Sequence, residues 1–235
     1  MRNNLMRHRA RGFGLIEIMI SLLLGLLIVA GVIQIFISAK NTYLSQNASA
    51  VMQEDARFIL TKMAQELRMV GMFGCLENVD DASAKGDFKA AKVTPIQWDS
   101  AATKLTLVTA DVGNNGGVPT WTVVSDCKSG ATATSGAATP AANQIAFPIR
   151  QLVYQFANKQ ILLGGAPIVS NVNKFTVMFG TANTASDTTV TGYTATPAST
   201  NLIRSVRLTL EMTDPTGRVQ SQTFSVLTAL RNLLY

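Results

Sequence analysis

The chain has 235 residues, enough for one sizeable domain in addition to an N-terminal anchor. Its formal charge is +6, but four of its 20 basic residues lie within the first 11 positions, which leaves 16 basic against 14 acidic residues in the remainder. A remainder so close to neutral argues against a nucleic-acid-binding protein, since that class carries a strongly basic surface. The only histidine is His8, so the rest of the chain has none for a catalytic triad, a general base or a metal site.

The N-terminus combines a basic leader with a long apolar segment. Residues 1–12 are polar and carry Arg2, Arg7, Arg9 and Arg11, whereas residues 18–39 contain no charged side chain. An apolar stretch of this length suffices for one helix to cross the hydrocarbon core of a bilayer. By the positive-inside rule the arginines hold the N-terminus in the cytoplasm, so residues beyond Lys40 are expected outside the inner membrane.

Glu17 is the exception at the start of the apolar segment. A carboxylate placed in hydrocarbon costs at least about 2.5 kcal/mol, and ordinary secretory signals carry no acid in their apolar region. We therefore expect Glu17 to have a function. The alternative is a plain single-pass anchor in which the acid is accidental.

The motif Gly12-Phe13-Gly14-Leu15-Ile16-Glu17, followed by about 20 apolar residues, resembles the class III signal of type IV prepilins and pseudopilins. The resemblance implies that a prepilin peptidase cleaves after Gly12 and N-methylates Phe13. It also implies that Glu17 pairs with the free amine of a neighbouring subunit during assembly. Residues 1–12 are then the leader peptide, and residues 13–39 are the transmembrane helix.

Small residues in the apolar segment have two interpretations. Gly25, Ala30 and Gly31 would permit the close approach of another helix, but glycine is also common in membrane helices in general. Beyond the membrane, apolar residues recur at spacings of three and four, so residues 40–74 are predicted to form the amphipathic half of the same helix. Gly71 and Gly74 are expected to end it.

The remaining residues, 75–235, are predicted to form a β-rich domain that is periplasmic or extracellular. An acidic group comprising Asn78, Asp80, Asp81 and Asp87 matches no calcium-loop spacing, so a solvated loop is favoured over a calcium site. From Lys104 onward the apolar period changes to two. The predicted strands cover residues 105–109, 120–125, 153–156, 160–163, 175–179 and 206–212, and a last strand includes Phe224.

Two segments rich in Ala, Gly, Ser and Thr, residues 129–143 and 181–201, are predicted to be surface loops. They are candidates for inter-subunit contact or for disorder. Because a long helix precedes a series of strands without alternation, the predicted fold is α+β, with the helix packed on an antiparallel sheet.

The chain has two cysteines, Cys75 and Cys127. In an oxidising periplasm such a pair is expected to form a disulfide, and two buried free thiols are the alternative. A zinc site is not expected, because two thiols are too few ligands.

Residues near the end of the helix indicate which group of pilins the chain resembles. Asp55-Ala56-Arg57-Phe58 and Glu66-Leu67-Arg68-Met69-Val70-Gly71-Met72-Phe73-Gly74-Cys75 are similar to the PilW family of minor pilins. The closing Leu230-Arg231-Asn232 resembles both that family and pseudopilin J of type II secretion. The resemblance covers residues 11–75 well and the C-terminal third loosely.

The resemblance implies a structural protein of the inner membrane and then of the pilus. Its partners would be prepilin peptidase, other minor pilins, the major pilin and the inner-membrane assembly machinery. It would prime pilus assembly and is a candidate for the filament tip, in motility, adhesion or DNA uptake. The alternative is a J-like pseudopilin of a type II secretion system. An enzyme is not expected, since no nucleophile motif is present, and neither a cofactor nor a nucleic-acid partner is implied. A binding module that uses the Thr-rich loops has no further support.

Overall fold

The computed structural model describes residue 12 and residues 14–111 and 117–233. Its first element is a long helix, α1 (Leu15–Met69), and a β-rich region follows. The chain divides into two compact units, Met1–Asn47 and Ala48–Tyr235. The first contains the beginning of α1, and the second contains the rest of α1 and all the described strands.

In the first unit, α1 is apolar and fully exposed. Every side chain from Leu15 to Tyr43 is exposed, and this part of the helix is long and apolar enough to cross a membrane. The predicted apolar helix is therefore present, and its surface is available to lipid or to other chains.

In the second unit, one face of α1 is buried. The buried side chains recur every three or four residues, as the amphipathic pattern predicts, and they are Met52, Ala56, Ile59, Leu60, Met63, Ala64, Glu66 and Leu67. The helix ends at Met69 because Gly71 adopts a left-handed conformation, with φ of 81°. Residues 70–74, which the sequence analysis included in the amphipathic half, therefore lie outside the helix.

Twelve strands within the described residues form two sheets. The first sheet has the order β1-β5-β4-β6-β3-β2, and β7 pairs with β6 and β8. Its strands are β1 (Asp80–Asp81), β2 (Ile96–Asp99), β3 (Lys104–Ala110), β4 (Trp121–Ser125), β5 (Ala131–Ser135), β6 (Ile145–Ala157), β7 (Gln160–Leu163) and β8 (Ala166–Ser170). A short helix, α2 (Phe88–Val93), precedes β2.

The second sheet has the order β10-β9-β11-β12. Its strands are β9 (Val172–Thr181), β10 (Gly192–Thr194), β11 (Ile203–Met212) and β12 (Gln222–Ala229). Single 3₁₀ turns cover Thr200–Leu202 and Arg231–Leu233. In the described part of the chain every pair is antiparallel except β1–β5, which is parallel. The predicted α+β fold is confirmed, with one parallel pair at the margin of the first sheet.

Two apolar clusters hold the second unit together. The larger lies between α1 and both sheets and includes the buried face of α1 with Tyr154, Val177 and Leu208. The smaller lies beside β4 and β5, where the rings of Phe73 and Trp121 meet that of Phe88 edge-on at centroid distances of 5.6 and 5.8 Å.

Residues 129–143 are not wholly a loop, and that prediction was wrong in part. β5 lies within them, with Ala131 and Ala133 buried in the smaller cluster. Small side chains suit this position because the aromatic rings already fill the space beside it. The composition of residues 129–143 therefore did not indicate that they contain a strand.

The second predicted loop, residues 181–201, is also more ordered than its composition suggests. It contains β10, and the buried guanidinium of Arg204 donates to five backbone carbonyl oxygens. These acceptors belong to Thr184, Ala185, Asp187, Asn201 and Ile203, at 2.5–3.2 Å. The hydrogen bonds fix the segment in a defined conformation.

Candidate assembly site

The start of α1 carries the residues that the resemblance assigns to processing and assembly. The amides of Glu17 and Ile18 donate to the carbonyl of Gly14 at 3.0 and 3.2 Å, which sets the first turn of the helix. Gly12 is exposed, whereas Phe13 and residues 1–11 lie outside the described residues. The cleavage and methylation at this junction therefore remain predictions.

Glu17 lies in the first turn of α1, where the positive end of the helix dipole favours a carboxylate. Its side chain is exposed, and in the described part of the chain it has no ion-pair partner. The next basic residue along the described helix is Lys40. In lipid, a carboxylate is costly unless a positive charge pairs with it.

Gly25 and Gly31 lie on the exposed apolar helix. A Cβ added at either position would meet no atom within 4 Å. Packing within the described chain therefore does not require glycine at these positions. Their flat surfaces would allow a second helix to approach closely.

At the other end of α1, Cys75 and Cys127 form a disulfide with a Cα–Cα distance of 5.4 Å. The disulfide joins the segment after α1 to the turn between β4 and β5. It closes a loop across a sequence separation of 52 residues, which corresponds to about 4 kcal/mol in the chain-entropy model.

The turn that holds Cys127 is tightly hydrogen-bonded. Cys127 has φ of 55°, and its amide donates to the hydroxyl of Ser125 at 3.0 Å. The carboxylate of Asp126 accepts the amides of Lys128, Ser129 and Gly130 at 2.9–3.1 Å. The Ser129 hydroxyl and these amides hold the pKa of Asp126 well below its usual range. The turn therefore presents Cys127 in a fixed position.

Gly74 explains why a glycine precedes Cys75. Its φ of 119° is accessible to few other residues, and an added Cβ would lie 3.3 Å from the ring of Phe147 and 3.6 Å from Val123. The chain thus passes close above β4 and β6 before it reaches the disulfide. The backbone conformation and this close packing explain the glycine of the Gly-Cys pattern.

Glu66 joins α1 to the first sheet, although the amphipathic pattern did not indicate that role. It is buried, pairs with Lys62 at 2.8 Å and accepts a hydrogen bond from the hydroxyl of Tyr154. The hydroxyl of Thr109 donates to the Glu66 carbonyl at 3.3 Å. Burial raises the pKa of Tyr154, and the nearby Glu66 raises it further. This polar group fixes the position of the helix along the sheet.

The C-terminal motif Leu230-Arg231-Asn232 closes the same end of α1. Leu230 is buried in the larger cluster. The side-chain amide of Asn232 donates to the carbonyls of Arg68 and Val70 at 3.1 and 3.3 Å. Two of the three stretches that carry the finer resemblance, the helix end and the closing motif, therefore meet in space.

The acidic group near α2 has a structural role that the sequence analysis missed. Asp81 accepts the amides of Ser83 and Lys89 at 2.9 and 2.8 Å, and Asp87 accepts the indole N–H of Trp121 at 2.8 Å. The Ser83 hydroxyl and these amides lower the pKa of Asp81. These carboxylates hold α2 against the first sheet.

One comparison with known proteins bears on the N-terminus. Residues 7–33 match the family model for the prokaryotic N-terminal methylation motif. No curated protein matches the chain. This prepilin-type signal supports a type IV pilin-like or pseudopilin-like protein, a structural class, and implies processing by prepilin peptidase and handling by the pilus assembly machinery. With the apolar helix, it fits a pilin anchored in the inner membrane.

Proposed function

We propose that this pilin-like protein is a minor pilin of the PilW family in a type IV pilus. It joins other minor pilins and the major pilin at the inner membrane and primes filament growth there. In the finished filament it lies at the tip. The observation that carries the proposal is the prepilin-type signal, which covers residues 7–33 and includes the first part of an exposed apolar helix. The domain beyond the membrane would lie in the periplasm before assembly.

The proposed assembly step is a charge pairing. After cleavage at Gly12, the new amine of Phe13 in one subunit meets the carboxylate of Glu17 in its neighbour. A lone charge is costly in a medium of low dielectric, and the pair offsets much of that cost. The favourable pairing would select the register in which subunits pack side by side.

The assignment to the PilW family is supported by the far end of α1. One stretch that resembles that family runs from Glu66 through the helix end to Gly74 and Cys75. Another is the closing motif, which includes Asn232. Asn232 bonds to the carbonyls at the helix end, and Gly74 leads into the disulfide. The similar residues thus form one local structure instead of being scattered matches.

A mass spectrum of the mature N-terminus tests the processing. We expect a chain that begins at an N-methylated Phe13. A chain that keeps its leader in a host that assembles pili would overturn the proposal.

The assembly role is tested by Glu17→Leu and Glu17→Gln at the chromosomal locus. Both variants are expected to reduce surface pili and twitching, since neither side chain can neutralise an amine. Glu54→Gln is the matched control, because Glu54 lies on the exposed face of the same helix in the second unit. Normal piliation by both Glu17 variants would contradict the pairing.

The second candidate, a J-like pseudopilin of type II secretion, has the same signal and the same kind of helix. A deletion strain separates the two functions. Loss of surface pili with normal protein secretion supports the minor pilin, and the opposite result supports the pseudopilin.

A further inference from the structure

β12 forms one margin of the second sheet. It pairs with β11 along its whole length, in a continuous register from Met212–Gln222 to Ser205–Ala229. In the described part of the chain no strand pairs with its other side. Its eight residues include neither a charged residue nor proline, so nothing in its sequence prevents a further strand from pairing there.

The other margins of the two sheets carry features that hinder strand pairing. β1 is two residues long and both are aspartate. β10 is three residues long and covers only Phe179–Thr181 of β9, and the uncovered part of β9 carries the charged Lys174. β2 ends in Asp99, and β8 contains Pro167. Among the described strands, β12 is therefore the long, regular and unprotected edge.

The side chains of β12 are also suited to an additional strand. Leu227 is 55% exposed on the outer face. On the inner face Phe224 and Val226 pack against the larger cluster but remain only partly buried. A neighbouring strand with apolar side chains would cover surface on both faces, which an isolated edge leaves in water.

We propose that β12 accepts an extended, uncharged segment of a different subunit as a fifth strand of this sheet. Backbone hydrogen bonds would provide the attachment, and contacts with Phe224, Val226 and Leu227 would provide selectivity. The segment would carry apolar or β-branched side chains on both of its faces, because both faces of β12 present apolar groups.

The direction of β12 argues against a second copy of this chain as the partner. Gln222, at the start of β12, donates to Ser49 at 3.0 Å, and Asn232, just beyond its end, donates to Arg68 at 3.1 Å. β12 therefore runs in the same direction as α1 in the second unit.

Two copies of one edge strand pair symmetrically only when they are antiparallel. That pairing would place the two Ala48 residues at opposite ends of the joined sheet, although both chains continue from there towards the same membrane. A strand from a different subunit has no such constraint. This step alone rests on the proposed function, since it assumes that both chains are anchored in one membrane.

Photo-crosslinking in the encoding bacterium tests the proposal on the full-length chain. p-Benzoylphenylalanine would replace Thr223, Ser225 or Leu227, which share one face of β12. Thr176 is the control, because it lies on the same face of the sheet but two strands away from the edge. It pairs with Thr209, which in turn pairs with Ser225.

We expect the three β12 positions to cross-link to one partner segment, at sites that advance by two residues for each step of two along β12. Absence of cross-links above those from Thr176, or sites without this two-residue step, would overturn the proposal. Cross-links to residues 222–229 of another copy would overturn the choice of a different subunit.

A charge placed on the edge provides a second test. Ser225→Lys is expected to abolish the cross-link from Leu227, whereas Thr209→Lys, one strand further in, should retain it. Formation of the Cys75–Cys127 disulfide in each variant shows that the domain has folded. The mature N-terminus is measured on the same samples. A methylated Phe13 without edge cross-links refutes this inference alone, and an uncleaved leader refutes the proposed function alone.

Discussion

The side-chain amide of Asn232 lies 3.1 Å from the carbonyl oxygen of Arg68, although 164 positions separate the two residues. The last carbonyls of a helix have no partner within the helix. Here the end of the chain returns to supply one. The C-terminal segment and α1 therefore stabilise each other.

Asn232→Ala should lower the free energy of unfolding by about 1–2 kcal/mol, because it leaves the carbonyls of Arg68 and Val70 without a donor. Denaturant unfolding of the full-length chain in detergent, followed by tryptophan fluorescence, measures this change. Arg231→Ala is the control, since Arg231 is exposed and directly precedes Asn232. Equal losses in the two variants would contradict the capping role.

The Tyr154–Glu66 contact predicts a loss of stability in alkali. Burial raises the pKa of Tyr154 above the 10.0 that is usual for a tyrosine, so the folded state keeps a proton that the unfolded state loses. Stability from this group is complete below pH 10 and falls above it, by up to about 1.4 kcal/mol per pH unit. The unfolding free energy of the wild type should therefore decline more steeply above pH 10 than that of Tyr154→Phe.

The same variant also tests the hydrogen bond at neutral pH. Tyr154→Phe should cost about 1.5–3 kcal/mol at pH 7, since it removes a donor to a buried charged group. Tyr193→Phe is a suitable control, because Tyr193 contacts Arg207 through its ring, with the guanidinium carbon 4.1 Å from the centroid. Parallel pH profiles for the wild type and Tyr154→Phe would show that the phenol does not titrate differently on unfolding.

Periodicity predicted the elements whose side chains alternate clearly between core and solvent. In β11, Val206, Leu208 and Leu210 are buried, whereas Arg207 is exposed and Thr209 half-buried. The amphipathic pattern of α1 has the same physical origin. Such patterns require only that one face of an element be buried, and they can therefore be read from neighbouring residues.

The missed features depend on residues that are distant in the sequence. Glu66 occupies a helical position that a charge normally avoids, and its partner Tyr154 lies 88 positions away. β5 consists of alanine, threonine and serine, whose burial depends on the aromatic cluster beside it. Local composition contains neither partner, so the polar network and this strand could not be predicted.

Removal of the disulfide should destabilise the second unit. Cys75→Ser is expected to lower the free energy of unfolding by about 4 kcal/mol. Loss of either cysteine opens the same loop. The double variant Cys75→Ser/Cys127→Ser should therefore lose as much stability as Cys75→Ser alone. Unfolding of the full-length chain with and without reductant checks this, and Lys128→Ala, which changes an exposed side chain in the same turn, is the control. Wild-type stability that reductant leaves unchanged would contradict the prediction.

Arg204 should determine whether residues 181–201 are ordered. Its guanidinium donates to five carbonyls while buried, and among the described residues no carboxylate pairs with it. Arg204→Met keeps much of the apolar stem but removes every donor. The variant should lose more than about 3 kcal/mol of stability.

Limited proteolysis of the full-length chain shows which segment becomes less ordered when Arg204 is replaced. Cleavage of Arg204→Met should become faster within residues 183–201, whereas Arg218→Met, which changes an exposed arginine outside this segment, should cleave like the wild type. Arg204→Lys keeps the charge but has fewer donors in a less rigid arrangement, so its cleavage should be intermediate. If Arg204→Met left this segment as resistant as in the wild type, the carbonyl contacts would not be what orders it.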